Sequence, residues 1–143
     1  MTTFRTSRDI PATPDQVFAA IGDPQRLARW WGPAGFTNTF EVCEIQPGGR
    51  WEFMMHGPDG RDYPNASVFA EIEAPHKVVV DHISEPKFRL TITLAPSTAG
   101  TTVTWVQVFE NAAFASSVEH IVAPANEQNL DRLTAEVLRE GRT

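Results

Sequence analysis

Hydrophobic and polar residues alternate along most of this chain, and the alternation is interrupted by proline and glycine at regular intervals. In residues 3–10, Phe4, Thr6, Arg8 and Ile10 share one side, so a first strand is predicted there, ended by Pro11. Thr13 before Pro14 is a helix N-cap with proline at the first helical position. Val17, Phe18 and Ile21 supply the apolar stripe of a short helix that Gly22 closes. Asp23-Pro24 starts a second short helix carrying Leu27, Trp30 and Trp31, which Gly32-Pro33 stops. From there the period is two. Residues 36–46 and 50–56 predict a hairpin around Pro47-Gly48-Gly49, with Trp51, Phe53 and Met55 on one face and Arg50, Glu52 and His56 on the other. Further strands are predicted over 62–73, 76–83, 87–95 and 101–110, separated at Pro58-Asp59-Gly60, Ala74-Pro75, Glu85-Pro86 and Pro96–Gly100.

In the last two strands Phe88, Leu90, Ile92 and Leu94 oppose Arg89, Thr91 and Thr93, while Val103, Trp105, Gln107 and Phe109 oppose Thr102, Thr104 and Val106. Such clean alternation predicts an antiparallel sheet with one covered and one wet face. The cover is the C-terminal segment, where Val118, Ile121, Val122, Leu130, Leu133 and Val137 recur at helical spacing. Pro124 inside that pattern is expected to kink or start the main helix, and Gly141 to end it. The fold class is therefore α+β: a curved seven-stranded antiparallel sheet wrapped around a long C-terminal helix, with two short helices after the first strand. A sheet curved around one helix leaves room between the two, the usual place for a small-molecule site.

Length and composition narrow the picture further. The 143 residues predict one domain, 1–143, which buries roughly 70% of its unfolded surface without metal or disulfide support. A net charge of −6 without a basic cluster argues against nucleic acid as a partner and against an anionic membrane surface. No apolar run approaches the length of a membrane span, and the N-terminus lacks the apolar stretch of a signal peptide, so no membrane insertion is expected. Cys43 is the only cysteine, which excludes an internal disulfide and predicts a cytoplasmic location.

Candidate chemistry is sparse. His56, His76, His82 and His120 show no metal-ligand spacing, so neither metal nor cofactor is expected. His82 shares a strand face with Val78 and Val80 and is read as a buried, hydrogen-bonded histidine. No nucleophile or phosphate-loop motif occurs, and no catalytic residue is assigned. Glu41 and Glu71 lie in strands where they meet only if the sheet brings them together, and Cys43 has no partner base. Glu127, Asp131, Arg132, Glu136 and Arg139 are expected on a solvated helix face, with Arg132 pairing Glu136 one turn on. The residues expected to line a ligand pocket are Trp31, Phe53, Met55, Phe69, His82, Phe88, Leu90, Trp105, Gln107, Asn126 and Leu130, with Asn129 a further inward polar candidate.

Several short runs also occur in a recognisable order: Ala12-Thr13-Pro14 with Val17-Phe18, Trp30-Trp31-Gly32-Pro33, Gly48-Gly49, Pro58-Asp59-Gly60, Thr101-Thr102-Val103-Thr104 and Leu130-Asp131-Arg132-Leu133. Together they resemble the branch of the START/Bet v allergen/polyketide-cyclase (SRPBCC) superfamily that is like the activator of heat-shock protein 90 ATPase. The resemblance implies the helix-grip fold and a ligand between sheet and helix. Many members have Gly-Trp where this chain has Ala125-Asn126, so an amide replaces an indole on the face toward the cavity. Three functions stay open on this resemblance. They are binding of a small apolar or amphipathic ligand, a cyclase- or dehydratase-type reaction in the same pocket with His82 as its acid or base, and contact with a chaperone. Monomer and homodimer are equally compatible with the sequence.

Overall fold

The computed structural model describes residues 2–140; the expected helix stop at Gly141 lies outside the described residues. Strand β1 (Thr3–Ile10) is followed by helices α1 (Pro14–Gly22) and α2 (Pro24–Trp30). Strands β2 (Thr37–Cys43), β3 (Arg50–His56), β4 (Asp62–Glu73), β5 (Lys77–His82), β6 (Phe88–Ser97) and β7 (Gly100–Phe109) come next, and helix α3 (Ala112–Glu140) closes the chain. The seven strands form one antiparallel sheet in the order β1-β7-β6-β5-β4-β3-β2. The first two strands in sequence thus sit at opposite edges, and α1 and α2 carry the chain across.

Local chemistry explains the helix starts. Thr13 and Gln16 form a reciprocal capping box, and the Asp23 carboxylate accepts from the Gln25 N–H at 3.0 Å. Asn111 caps α3 by accepting from the Phe114 N–H at 2.9 Å. Helix α3 then runs unbroken to Glu140 with Pro124 inside it, so the expected start at Pro124 is corrected to Ala112. Pro124 lacks an N–H and leaves one backbone carbonyl of the preceding turn without its helical partner.

The bounds of β1, β3 and β4 match the alternation, and the other strand ends differ by one to three residues; the largest change is β2, which stops at Cys43. Two bulges, between Phe40 and Val42 and between Phe69 and Glu71, interrupt the pairing. They explain why Phe69 and Ile72, three apart, both pack toward the core. A bulge adds one residue and sharpens the local twist, which curls this end of the sheet. The turn at Gly48-Gly49 docks into the second bulge: the Gly48 N–H donates to Phe69 O at 2.7 Å, and the Phe69 N–H donates to Gly49 O at 2.9 Å. A Cβ at Gly49 would stand 1.9 Å from the Glu44 carbonyl oxygen, so only glycine fits.

The core fills the concave face. Trp30, Trp51, Phe69, Ile92, Leu130 and Leu133 are among its fully buried side chains. All four tryptophans form one cluster. Trp31 sits edge-on to Trp51 at 4.8 Å and 6.0 Å from Trp105, while Trp30 lies 5.7 Å from Trp31 and donates its indole N–H to Ala20 O at 2.9 Å. On the outer face, Asp81 and Arg89 stand opposite one another in the β5–β6 register and form a two-pronged ion pair at 2.7 and 2.8 Å.

Charged side chains of α3 anchor the helix at two places. Arg8 of β1 holds Glu127 at 3.1 Å and Asp131 at 2.7 Å, and the Thr6 hydroxyl donates to Glu127. Glu136 is buried and accepts from Arg26 at 2.9 Å, Arg29 at 3.3 Å and Arg139 at 2.8 Å. The expected Arg132–Glu136 pair on a solvated face is therefore corrected: Glu136 ties α3 to α2, and Arg132 is used elsewhere. Burial, the largest single influence, pushes the Glu136 carboxyl up; the hydrogen bonds from Arg139 and Arg26 outweigh it and hold the group below the usual carboxylate range.

Removing the Glu136 charge takes away the buried carboxylate that Arg26, Arg29 and Arg139 share. Glu136→Gln is expected to cost about 3 kcal/mol in urea denaturation. A loss below about 1 kcal/mol would show that the cluster behaves like an exposed ion pair.

Candidate functional site

A cavity of about 230 Å³ lies between the concave face of the sheet and α3. Its wall is built from seven places in the chain. The turn after α2 contributes Trp31, Gly32 and Pro33; β3 contributes Met55, and β4 Asn65. His82 ends β5, and Pro86, Phe88 and Leu90 follow from the next turn and β6. Trp105 and Gln107 come from β7, and Ile121, Val122, Ala125, Asn126 and Asn129 from α3. Two wider depressions of about 410 Å³ each lie by Lys87, Phe109 and Glu110 at the β6–β7 end. They are bordered by charged side chains such as Asp81, Arg89, Lys87 and Glu110, whereas the sheet–helix cavity has the apolar wall that small-molecule sites need.

Of the residues expected at a pocket, the structure brings Trp31, Met55, His82, Phe88, Leu90, Trp105, Gln107 and Asn126 together on this wall. It does not bring Phe53, Phe69 or Leu130 there. Phe53 and Phe69 stack on Trp51 at 4.5 and 5.3 Å, and Leu130 is fully buried in the core. Phe53 and Phe69 face inward as their parity requires, but they sit where the bulged β2–β4 end of the sheet is packed solid. Trp31 is the cap residue of α2 instead of a member of the helix, and this turns its indole onto the wall.

The turn that carries Trp31 makes few hydrogen bonds of its own; Asn38 donates to Trp31 O at 2.9 Å, and α3 supplies most of the rest. Arg132 donates to the carbonyls of Arg29, Trp31, Gly32, Pro33 and Phe36, at 2.9 to 3.2 Å. Asn129 accepts from the Gly32 N–H at 3.3 Å and donates to Trp30 O at 3.1 Å. Gln128 accepts from the Ala34 N–H at 3.1 Å. Gly32 adopts φ +99°, a region L side chains rarely enter, and a Cβ there would also meet the Met55 methyl at 2.8 Å. Burial lowers the Arg132 guanidinium from its ordinary value, yet an arginine stays charged in a folded protein. A planar fork of five N–H groups suits a ring of carbonyls as no lysine would.

Sequence reasoning missed Gln128 and Arg132 because a charged residue two turns from the helix end looks like solvated surface. It also missed Asn65, Pro86 and Ala125. The available signal was Gly-Pro after a helix: a turn at φ above zero, with carbonyls that must find donors.

His82 is buried against the wall and its ring stacks on Phe88 at 4.5 Å. Nδ1 lies 2.7 Å from Pro86 O and Nε2 lies 2.6 Å from the Asn65 amide, whose NH2 donates to Tyr63 O at 2.8 Å. A carbonyl only accepts, so the neutral ring carries its proton on Nδ1 and leaves a lone pair on Nε2. A half-turn of the Asn65 amide would match that lone pair only by giving up the bond to Tyr63 O, whereas a protonated ring would donate to both oxygens with Asn65 as it stands. Burial is the largest influence and lowers the His82 value, against smaller upward effects from Pro86, Ser84 and Glu85. The other histidines stay apart: His76 and His120 are exposed, and His56 bonds Asp62 and Thr39, each at 2.7 Å. Glu41 and Glu71 do not meet, because β3 runs between their strands; Glu71 pairs Lys77 at 3.2 Å. Burial pushes the Cys43 thiol up to about 11, so it is not a nucleophile at neutral pH.

At the far end of the wall the Asn126 amide donates to Gln107 Oε1 at 3.1 Å. Asn126 also borders a shallow groove between β1 and α3. The Trp105 indole N–H is buried with no hydrogen-bond partner among the described residues. No cluster of His, Cys, Asp and Glu suited to a metal occurs among the described residues. Nor is any described helix long and apolar enough to cross a membrane.

An open antiparallel sheet gripping one long helix, with a cavity between them, defines a helix-grip domain. The chain belongs to the family described as Activator of Hsp90 ATPase homolog 1-like protein, whose match spans residues 11–137. Solved structures agree on the fold. A protein from Nitrosomonas europaea is 18% identical with a TM-score of 0.89, covering 99% of this chain and 97% of its own. A protein from Arthrobacter aurescens is 26% identical with a TM-score of 0.88, covering 96% and 87%. An AHSA1-like protein from Aeromonas hydrophila is 21% identical with a TM-score of 0.75, covering 97% and 94%. No curated protein matches the sequence.

The lowered value of His82 sets a pH dependence. The unfolded chain takes up this proton near pH 6.5 and the folded chain only at lower pH, so the contribution is full above about 6.5 and falls as the pH drops below it. Thermal midpoints should fall between about pH 7.5 and 5.5, and His82→Asn should flatten that decline. Parallel curves for the two proteins would contradict this assignment.

Proposed function

We propose that this protein binds a small apolar or amphipathic molecule in the cavity between sheet and α3. The carrying observation is the cavity itself: about 230 Å³, walled by Trp31, Met55, Phe88, Leu90 and Trp105, with a few amides at its end. An engineered apolar cavity of about 150 Å³ already takes benzene, so the space suits a compound of one ring or a compact pair. Membership of a helix-grip family supports the same reading. An enzymatic role for His82 has less support, because both ring nitrogens already meet partners within the protein. The lone, half-buried Cys43 supports a reducing, cytoplasmic setting.

The wall offers an internal probe. Filling the cavity from α3 with Ala125→Phe should abolish the rise in thermal midpoint and the change in tryptophan fluorescence given by small aromatic compounds, while the far-ultraviolet circular dichroism stays unchanged. Undiminished binding in Ala125→Phe would place the site elsewhere.

A further inference from the structure

The cavity's polar groups say what kind of molecule it takes. No Asp, Glu, Lys or Arg lines the wall. Its histidine is buried, shifted toward the neutral form and flanked at both nitrogens by oxygens of the protein. Asn129 spends its amide on the Gly32 N–H and Trp30 O, and Asn65 spends its own on His82 and Tyr63 O. The remaining polar side chains are Gln107 and Asn126, each only 9% exposed. They share one hydrogen bond of 3.1 Å, and neither makes another side-chain hydrogen bond among the described residues.

That single bond consumes one NH2 and one carbonyl oxygen. The Gln107 NH2 and the Asn126 carbonyl oxygen are left over, and neither is among the buried atoms sealed away without a partner. If both amides turn over together, the leftover pair becomes the Gln107 oxygen and the Asn126 NH2. Either way the joined amides offer one donor and one acceptor, within reach of a single small ligand.

We propose that the ligand is a neutral, flat molecule of one or two rings whose polar edge carries a donor beside an acceptor, as in a carboxamide, lactam or imide. This rests on the reading of the cavity as a ligand site. The edge would pair with Gln107 and Asn126, and the ring would lie against Phe88 and Trp105. An anionic head group is disfavoured, because its charge would lose water without meeting a cation on the wall. A wholly apolar guest would leave both amides unpaired, and buried unpaired groups are what give polar sites their discrimination.

Three probes of similar size separate the possibilities: benzamide, benzoate and ethylbenzene, titrated at about pH 7.5 and followed by the amide chemical shifts of cavity residues. Benzamide should bind at least about tenfold more tightly than benzoate and several-fold more tightly than ethylbenzene. Gln107→Leu and Asn126→Leu should each weaken benzamide about tenfold while ethylbenzene binding is kept, which also shows that the cavity is intact. Equal binding of benzamide and ethylbenzene, benzoate binding as tight as benzamide, or leucine variants that bind benzamide undiminished would overturn the inference while leaving a ligand site in place. Absence of cavity shifts with all three probes would overturn the ligand-site reading itself.

Discussion

The grip of α3 on the turn after α2 is the constraint on which the rest of the structure depends. Residues 29–36 leave a helix, pass a glycine at positive φ and enter a strand, so their backbone groups have few partners of their own kind. Three α3 side chains, Gln128, Asn129 and Arg132, bind two N–H groups and six carbonyls of this segment. The two that Asn129 makes are buried, and a buried bond left unmade costs about 1–3 kcal/mol. The grip therefore fixes Trp31, and Trp31 joins the wall to the tryptophan cluster beneath it.

The same helix works on several sides at once, as its 3.6-residue period allows. Glu127 and Asp131, one turn apart, reach β1 through Arg8. Gln128 and Arg132, also one turn apart, reach the turn after α2. Glu136 reaches α2 through Arg26. Between these polar contacts, Leu130 and Leu133 fill the core, while Ala125 and Asn126 face the cavity. Charge is thus placed beside the cavity and kept off its wall.

Strand positions and faces were readable from the chain because parity in a strand admits two answers, and apolar residues chose one. Parity could not report position along the sheet. Phe53 and Phe69 point inward as expected but lie beside Trp51 in the packed end. The bulges that close that end have no strong sequence mark. Gln107 and Asn126 were readable as polar residues on apolar faces; that they bond each other depends on how β7 meets α3. Arg132 was misread because its partners are backbone carbonyls of a distant turn, which have no signature in side-chain patterns. Pro124 was misread for a simpler reason: a helix packed by tertiary contacts and capped at Asn111 tolerates one missing N–H.

Hydrogen exchange on Arg132→Met tests the central claim most directly. The N–H groups of Trp31, Gly32, Ala34 and Phe36 are held within the gripped segment. The account predicts that they lose protection first and most, while amides of β5, β6 and β7 keep theirs. Unchanged protection in the turn, or a uniform loss across sheet and turn alike, would contradict it.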